Sequence, residues 1–102
     1  MRVISKRILR EFWEKHSQAE SGLILWYQRL SDSEVQSFND VRKIFSSADL
    51  VGNFTVFNIK GNNYRLITYI DYEYQILFVR AVLTHAEYDK ENWKNDEWFR
   101  NS

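Results

Sequence analysis

Apolar residues at Ile8, Leu9, Phe12 and Trp13, closed by His16, recur every three to four positions, and Ser5 stands just ahead of them. That spacing predicts an amphipathic helix from Lys6 with Ser5 as its N-cap, the serine oxygen accepting from a free first-turn amide. Arg2-Val3-Ile4 before it reads as a short edge strand. Ser17-Gln18-Ala19-Glu20 has the spacing of a capping box and predicts a second helix, whose buried stripe is Leu23, Trp26, Tyr27 and Leu30. Ser31-Asp32-Ser33-Glu34 repeats that spacing before a shorter piece with Val35 and Phe38. Asn39 or Asp40 is then expected to cap a last turn from Val41 to Phe45.

Beyond Ser46-Ser47-Ala48-Asp49 the period changes. Phe54 to Ile59, Tyr64 to Ile70 and Ile76 to Leu83 are rich in β-branched and aromatic residues, and Gly61-Asn62-Asn63 and Asp71 to Gln75 separate them. They predict an antiparallel meander. Thr84-His85-Ala86-Glu87 is a further capping-box spacing, which sends the last strand into a helix beginning near His85. The tail KNDEWFRNS reads as a helix end or a partner-binding segment. The expected class is α+β: N-terminal helices on a small antiparallel sheet, a short C-terminal helix, and one sheet face without an obvious cover. If Asp71 pairs with Ile76, Arg65 falls opposite Val82 and diagonal to Arg80, and a one-residue slip separates the two arginines.

Length and composition narrow the options. A chain of 102 residues suits a single domain spanning 1–102. It has no cysteine and two histidines, which leaves no disulfide framework, no thiolate metal site and a poor imidazole cage, so neither metal nor cofactor is expected. The opening carries charges every few residues and nowhere do about 18 apolar residues run together, so a non-secreted, cytoplasmic chain without a membrane segment is expected. Lys and Arg number 14 against 14 Asp and Glu, and this zero balance offers no bulk attraction for nucleic acid; any such binding needs a local patch.

VFNIKGNNYRLI, followed about twenty residues later by THAEYDK, resembles the HigB toxins of type II toxin-antitoxin systems, a branch of the RelE-like ribonucleases. The resemblance covers nearly the whole chain and is sharpest from Val56 to Lys90. It implies a metal-independent mRNA interferase that cleaves translated messenger RNA, often at the ribosome, and is held inactive by a HigA antitoxin carrying a helix-turn-helix domain.

The chemistry such a reaction needs is present in these segments. Cleavage by the 2′-hydroxyl requires cations on the phosphate, a proton acceptor and a proton donor. Lys60 and Arg65 flank the turn as the expected phosphate clamp. His85, in the first turn of a helix, suits proton transfer as a neutral imidazole, and Tyr88 lies three residues on along nearly the same face. Asn62, Asn63, Arg80 and Lys90 complete the expected RNA contacts. Which residue acts as the base stays open among His85, Tyr88 and Lys60. Glu87, Asp89 and Glu91 beside this region depart from the basic character usual in the superfamily and weaken non-specific RNA affinity. Two other classes fit the composition: a non-catalytic RNA-binding sheet using Tyr69 and the arginines, and a protein-interaction domain docking through Trp93, Trp98 and Phe99.

Overall fold

The computed structural model describes residues 1–99, so the last three residues of the KNDEWFRNS tail lie outside the described residues. Its elements run β1 (Arg2–Ile4), α1 (Lys6–Lys15), α2 (Glu20–Ser31), α3 (Phe38–Ile44), β2 (Asp49–Val51), β3 (Phe54–Ile59), β4 (Tyr64–Asp71), β5 (Ile76–Thr84) and α4 (His85–Asp89). Single 3-10 turns cover Ser17–Ala19 and Asn92–Asn95. The class is α+β.

Ser5 caps α1 as expected, its hydroxyl accepting from the Arg7 amide at 3.2 Å. The next two boxes do not form. Ser17 instead opens a 3-10 turn, and α2 starts after Ala19 without a side-chain cap. Burial of Leu30 carries α2 on through Ser31, so Ser31 is helical and cannot cap. Ser37 rather than Asn39 or Asp40 caps α3, accepting from the Asp40 amide. At Ser31 packing of the apolar stripe outweighed a local capping preference worth about 1 kcal/mol.

The sheet has five strands in the order β1-β5-β4-β3-β2. It is mixed, not purely antiparallel: β1 lies parallel to β5, with Arg2 opposite Ile76, while β2 to β5 pair antiparallel in chain order. β2 is a strand that the sequence pattern did not separate from the preceding helical half; it pairs antiparallel with β3, Asp49 opposite Val56.

Alternation along the strands builds two cores. Phe57, Ile59, Leu66, Ile70, Leu77, Val79 and Val82 face the helices and pack on Leu9, Leu23, Trp26, Leu30, Val35 and Val41. Each such side chain contributes roughly 1.5–3 kcal/mol by leaving water. Phe54, Val56 and Ile67 face the other way, and this second face is covered: Trp93 packs there at 9% exposure with Tyr88, Trp98 and Phe99 beside it. The tail is therefore a strap across the sheet, and its aromatic residues are engaged by this chain's own β-strands.

The strap is anchored at both edges. Arg80 holds Asp96 through two hydrogen bonds of 2.9 Å, with its guanidinium 3.9 Å from the centre of the Trp98 ring. Across the sheet, the Asn53 amide donates to the Phe99 carbonyl at 3.3 Å. Gly52 makes this approach possible, since it has φ 58° and an added Cβ would lie 2.7 Å from the Phe99 ring.

Arg80 is also where the register slips. Asp71 pairs with Ile76 as expected, but a bulge between Ile67 and Thr68 leaves Arg80 as the extra residue on β5. Arg65 consequently lies opposite Leu83, not Val82, and the two arginines part company.

Candidate active site

The β3–β4 hairpin and the start of α4 meet at one end of the sheet. Tyr64 pairs with Thr84, and the His85 amide donates to the Asn63 carbonyl at 3.1 Å. The Thr84 capping box is complete: its hydroxyl accepts from the Glu87 amide at 3.2 Å, and the Glu87 carboxylate accepts from the Thr84 amide at 2.9 Å. The corner itself turns through Lys60 at φ 52° and Gly61 at φ 62°, closed by the Asn63 amide donating to the Lys60 carbonyl.

Arg65 is fixed by its own hairpin. Its Nη1 donates to the Asn62 carbonyl at 3.0 Å and the Tyr64 carbonyl at 3.2 Å, which leaves Nε and Nη2 without a protein partner among the described residues. The guanidinium lies 5.2 Å from the centre of the Tyr88 ring. A fixed guanidinium with two free donors and an aromatic wall suits a phosphate oxygen pair.

Tyr88 is held from behind. Its ring stacks on Trp93 with centroids 5.1 Å apart and planes 9° apart, and the Trp93 indole donates to the Tyr88 carbonyl at 3.0 Å. Burial pushes the Tyr88 phenol above its ordinary value, Asp49 pushes it further, and the cations of Arg65 and Lys94 act against them. The phenol thus stays protonated at neutral pH and available as a donor.

In front of Arg65 and Tyr88 opens a cleft of about 350 Å³, lined also by Arg42, Ser47, Ala48, Asp49, Val56 and Asn58. Arg42 reaches it from α3 and donates to the Ser46 carbonyl at 3.0 Å. A lining of two guanidiniums, one carboxylate, a phenol, a hydroxyl and an amide can bind a polyanion and move protons beside it.

The expected site residues are distributed unevenly around this cleft. Arg65 and Tyr88 line it; Asn62 and Asn63 hold Arg65 and α4 through their carbonyls. Lys60 extends toward the helical face, its amine 3.4 Å from the Gln18 Oε1, so it does not converge with Arg65 here. The His85 imidazole is outside the lining, exposed and 3.4 Å from the Asp89 carboxylate. Arg80 is paired with Asp96, and Lys90 borders a separate groove with Glu87, Asn92 and Trp93.

Arg42, Ser47, Asp49 and Asn58 were not evident from the sequence. Asn58 faces Arg65 across the hairpin and follows once that register is fixed. Arg42 and Asp49 arrive from the helical half and carry no local signal.

The α+β arrangement of helices on a mixed five-stranded sheet is compatible with the family to which comparison with known proteins assigns the chain. The chain belongs to the HigB toxin family, described as the RelE-like toxic component of a toxin-antitoxin system, whose model matches residues 19–91. It is 27% identical over 92 residues to the mRNA interferase toxin HigB of Escherichia coli (strain K12), covering 87% of this chain and 88% of that protein. The mRNA interferase HigB of Shigella flexneri matches to the same extent. That of Escherichia coli O6:H1 is 29% identical, covering 88% of this chain and 90% of the other. No described helix is long and apolar enough to cross a membrane.

Proposed function

We propose that this toxin is an endoribonuclease that cleaves translated messenger RNA in the Arg65 cleft and is silenced by a HigA-type helix-turn-helix antitoxin in the cytoplasm. The observation that carries the reading is the pairing of a partly free, backbone-anchored guanidinium with a protonated phenol in one polar cleft, in a chain whose relatives are named mRNA interferases. Arg65 binds the scissile phosphate and offsets the charge that builds on it during attack by the 2′-hydroxyl. Tyr88 supports the leaving 5′-oxygen. Lys60 and His85, both exposed at the rim of the hairpin end, contact flanking RNA or the ribosome rather than the scissile group.

Expression in a bacterial host tests this. The wild-type chain is expected to arrest growth, and Arg65→Ala, at equal abundance and with an unchanged melting temperature, is expected to relieve the arrest. Full toxicity of a folded Arg65→Ala protein would remove Arg65 from the mechanism.

A further inference from the structure

We propose that Asp49, on strand β2, is the proton acceptor for the 2′-hydroxyl of RNA bound in this cleft. This rests on reading the chain as a ribonuclease.

Strand register puts Asp49 on the right face. Asp49 is opposite Val56, Val56 is opposite Ile67, and Asn58, two residues along, is opposite Arg65. Directly opposed residues share a sheet face, so Asp49, Asn58 and Arg65 all project toward the cleft. Two strand spacings and one two-residue step separate the Asp49 and Arg65 backbones by roughly 12 Å. A guanidinium reaching in from one side and a carboxylate from the other leave room between them for a phosphate and its ribose.

Elimination among the lining side chains points to the same residue. Arg42 and Arg65 are permanent cations, the Ser47 hydroxyl and the Asn58 amide are not bases, and the Tyr88 phenol is protonated. Asp49 is the lining side chain left to accept a proton. The charged and titratable groups facing it are Arg42 from α3, Arg65 from β4 and Tyr88 from α4. Glu91 and Lys94, flanking and within the last 3-10 turn, act on Tyr88 from behind. His85, the alternative acceptor, is turned to Asp89 and lies outside the lining.

The step balances without any co-reactant. The 2′-hydroxyl proton passes to the Asp49 carboxylate as the 2′-oxygen bonds to phosphorus. The bond from phosphorus to the 5′-oxygen breaks, and that oxygen takes the Tyr88 phenol proton. The products are a 2′,3′-cyclic phosphate and a 5′-hydroxyl, and the proton on Asp49 returns to Tyr88 through solvent.

Asp49 is exposed on a sheet edge, so Asp49→Asn changes charge without changing volume. Single-turnover cleavage of whichever RNA the wild type cuts, translated message or free oligoribonucleotide, is compared for wild type, Asp49→Asn and Asp49→Glu. Binding is measured with the same RNA carrying a 2′-deoxy nucleotide at the cleavage position. Asp49→Asn is expected to cleave about 100-fold or more slowly. It should bind the deoxy RNA as well as wild type or better, and lose the acidic limb of the pH–rate profile; Asp49→Glu should restore that limb in part. A wild-type rate with an intact acidic limb in Asp49→Asn, or a loss confined to binding, overturns the assignment while leaving the ribonuclease reading in place. Absence of cleavage by the wild type overturns both.

Discussion

Trp93 and Tyr88 lie ring on ring, 5.1 Å apart and 9° from parallel, and the indole of one donates to the carbonyl of the other. Through this contact the C-terminal strap bears directly on the cleft, because the same Tyr88 ring also lies 5.2 Å from the Arg65 guanidinium. The segment that covers the second sheet face is therefore also the support of the candidate catalytic phenol.

Removing that support has a spectroscopic signature. Trp93→Ala is expected to destabilise the fold by about 3–5 kcal/mol, as usual for deleting a buried large aromatic side chain. With the stack gone, the Tyr88 phenol, whose pKa burial raises first, should fall toward its ordinary value. Ultraviolet titration of Tyr88 in Trp93→Phe, which keeps a ring but loses the indole donor, should show a smaller fall. An unchanged Tyr88 titration in a folded Trp93→Ala protein would contradict the supporting role.

The strap's anchor predicts a pH dependence. Burial pushes the Asp96 carboxyl upward, but the Arg80 hydrogen bonds, the Trp98 amide and the Arg80 charge together hold it below its ordinary value. A carboxylate depressed on folding adds stability that is fully present above its unfolded value of about 3.9 and is lost as pH falls through the folded value. Urea midpoints measured from neutral pH to about pH 2 should therefore drop more steeply at the acid end for wild type than for Asp96→Asn. Parallel curves would mean that the ion pair adds nothing to stability.

The two cations at the hairpin should behave differently. Arg65→Ala is expected to lose about 2–4 kcal/mol of transition-state stabilisation, roughly 30- to 1000-fold in single-turnover rate. Lys60→Ala should cost less than about tenfold, because its amine is exposed and directed to Gln18. Equal losses on a bound translated message would show that Lys60 swings across to the scissile phosphate.

Backbone strain at the same corner gives a separate test. Lys60 adopts φ 52°, a left-handed conformation that costs a residue with a Cβ about 1 kcal/mol. Lys60→Gly should therefore melt no lower than Lys60→Ala, and higher if relief of this strain outweighs the added freedom of the unfolded chain. A lower melting temperature for the glycine variant would show that this strain is smaller than the added freedom of the unfolded chain.

Much of the scaffold was readable because periodicity and burial agreed. The stripes Ile8-Leu9-Phe12 and Leu23-Trp26-Leu30 and the three meander strands recur where the spacing put them. The failures have long-range causes. Ser17 and Ser31 have capping spacing, but tertiary packing of their neighbours set the helix limits. The bulged Arg80 is paired with Asp96, a residue sixteen positions away, and no local pattern encodes either feature. The tail looked like a free segment because its aromatic residues are interrupted by charges; only the uncovered second face explains where Trp93, Trp98 and Phe99 go.

The candidate site divided along the same line. Arg65, His85 and Tyr88 stand in two segments joined by a meander, and antiparallel pairing was enough to bring their backbones together. Side-chain direction was not available from spacing. Positive φ at Lys60 turns its amine to the helices, and the i, i+4 partner Asp89 draws His85 outward. Asp49 and Arg42 enter from a strand and a helix whose approach depends on the whole fold.

The central claim, that the Arg65 cleft cleaves messenger RNA by 2′-hydroxyl attack, is tested most directly by end-group analysis of a translated message incubated with the purified toxin. Fragments ending in a 2′,3′-cyclic phosphate, each followed by a 5′-hydroxyl, are predicted with wild type and should be almost absent with Arg65→Ala. Intact message with the wild-type protein, or fragments carrying 5′-phosphates, would contradict it.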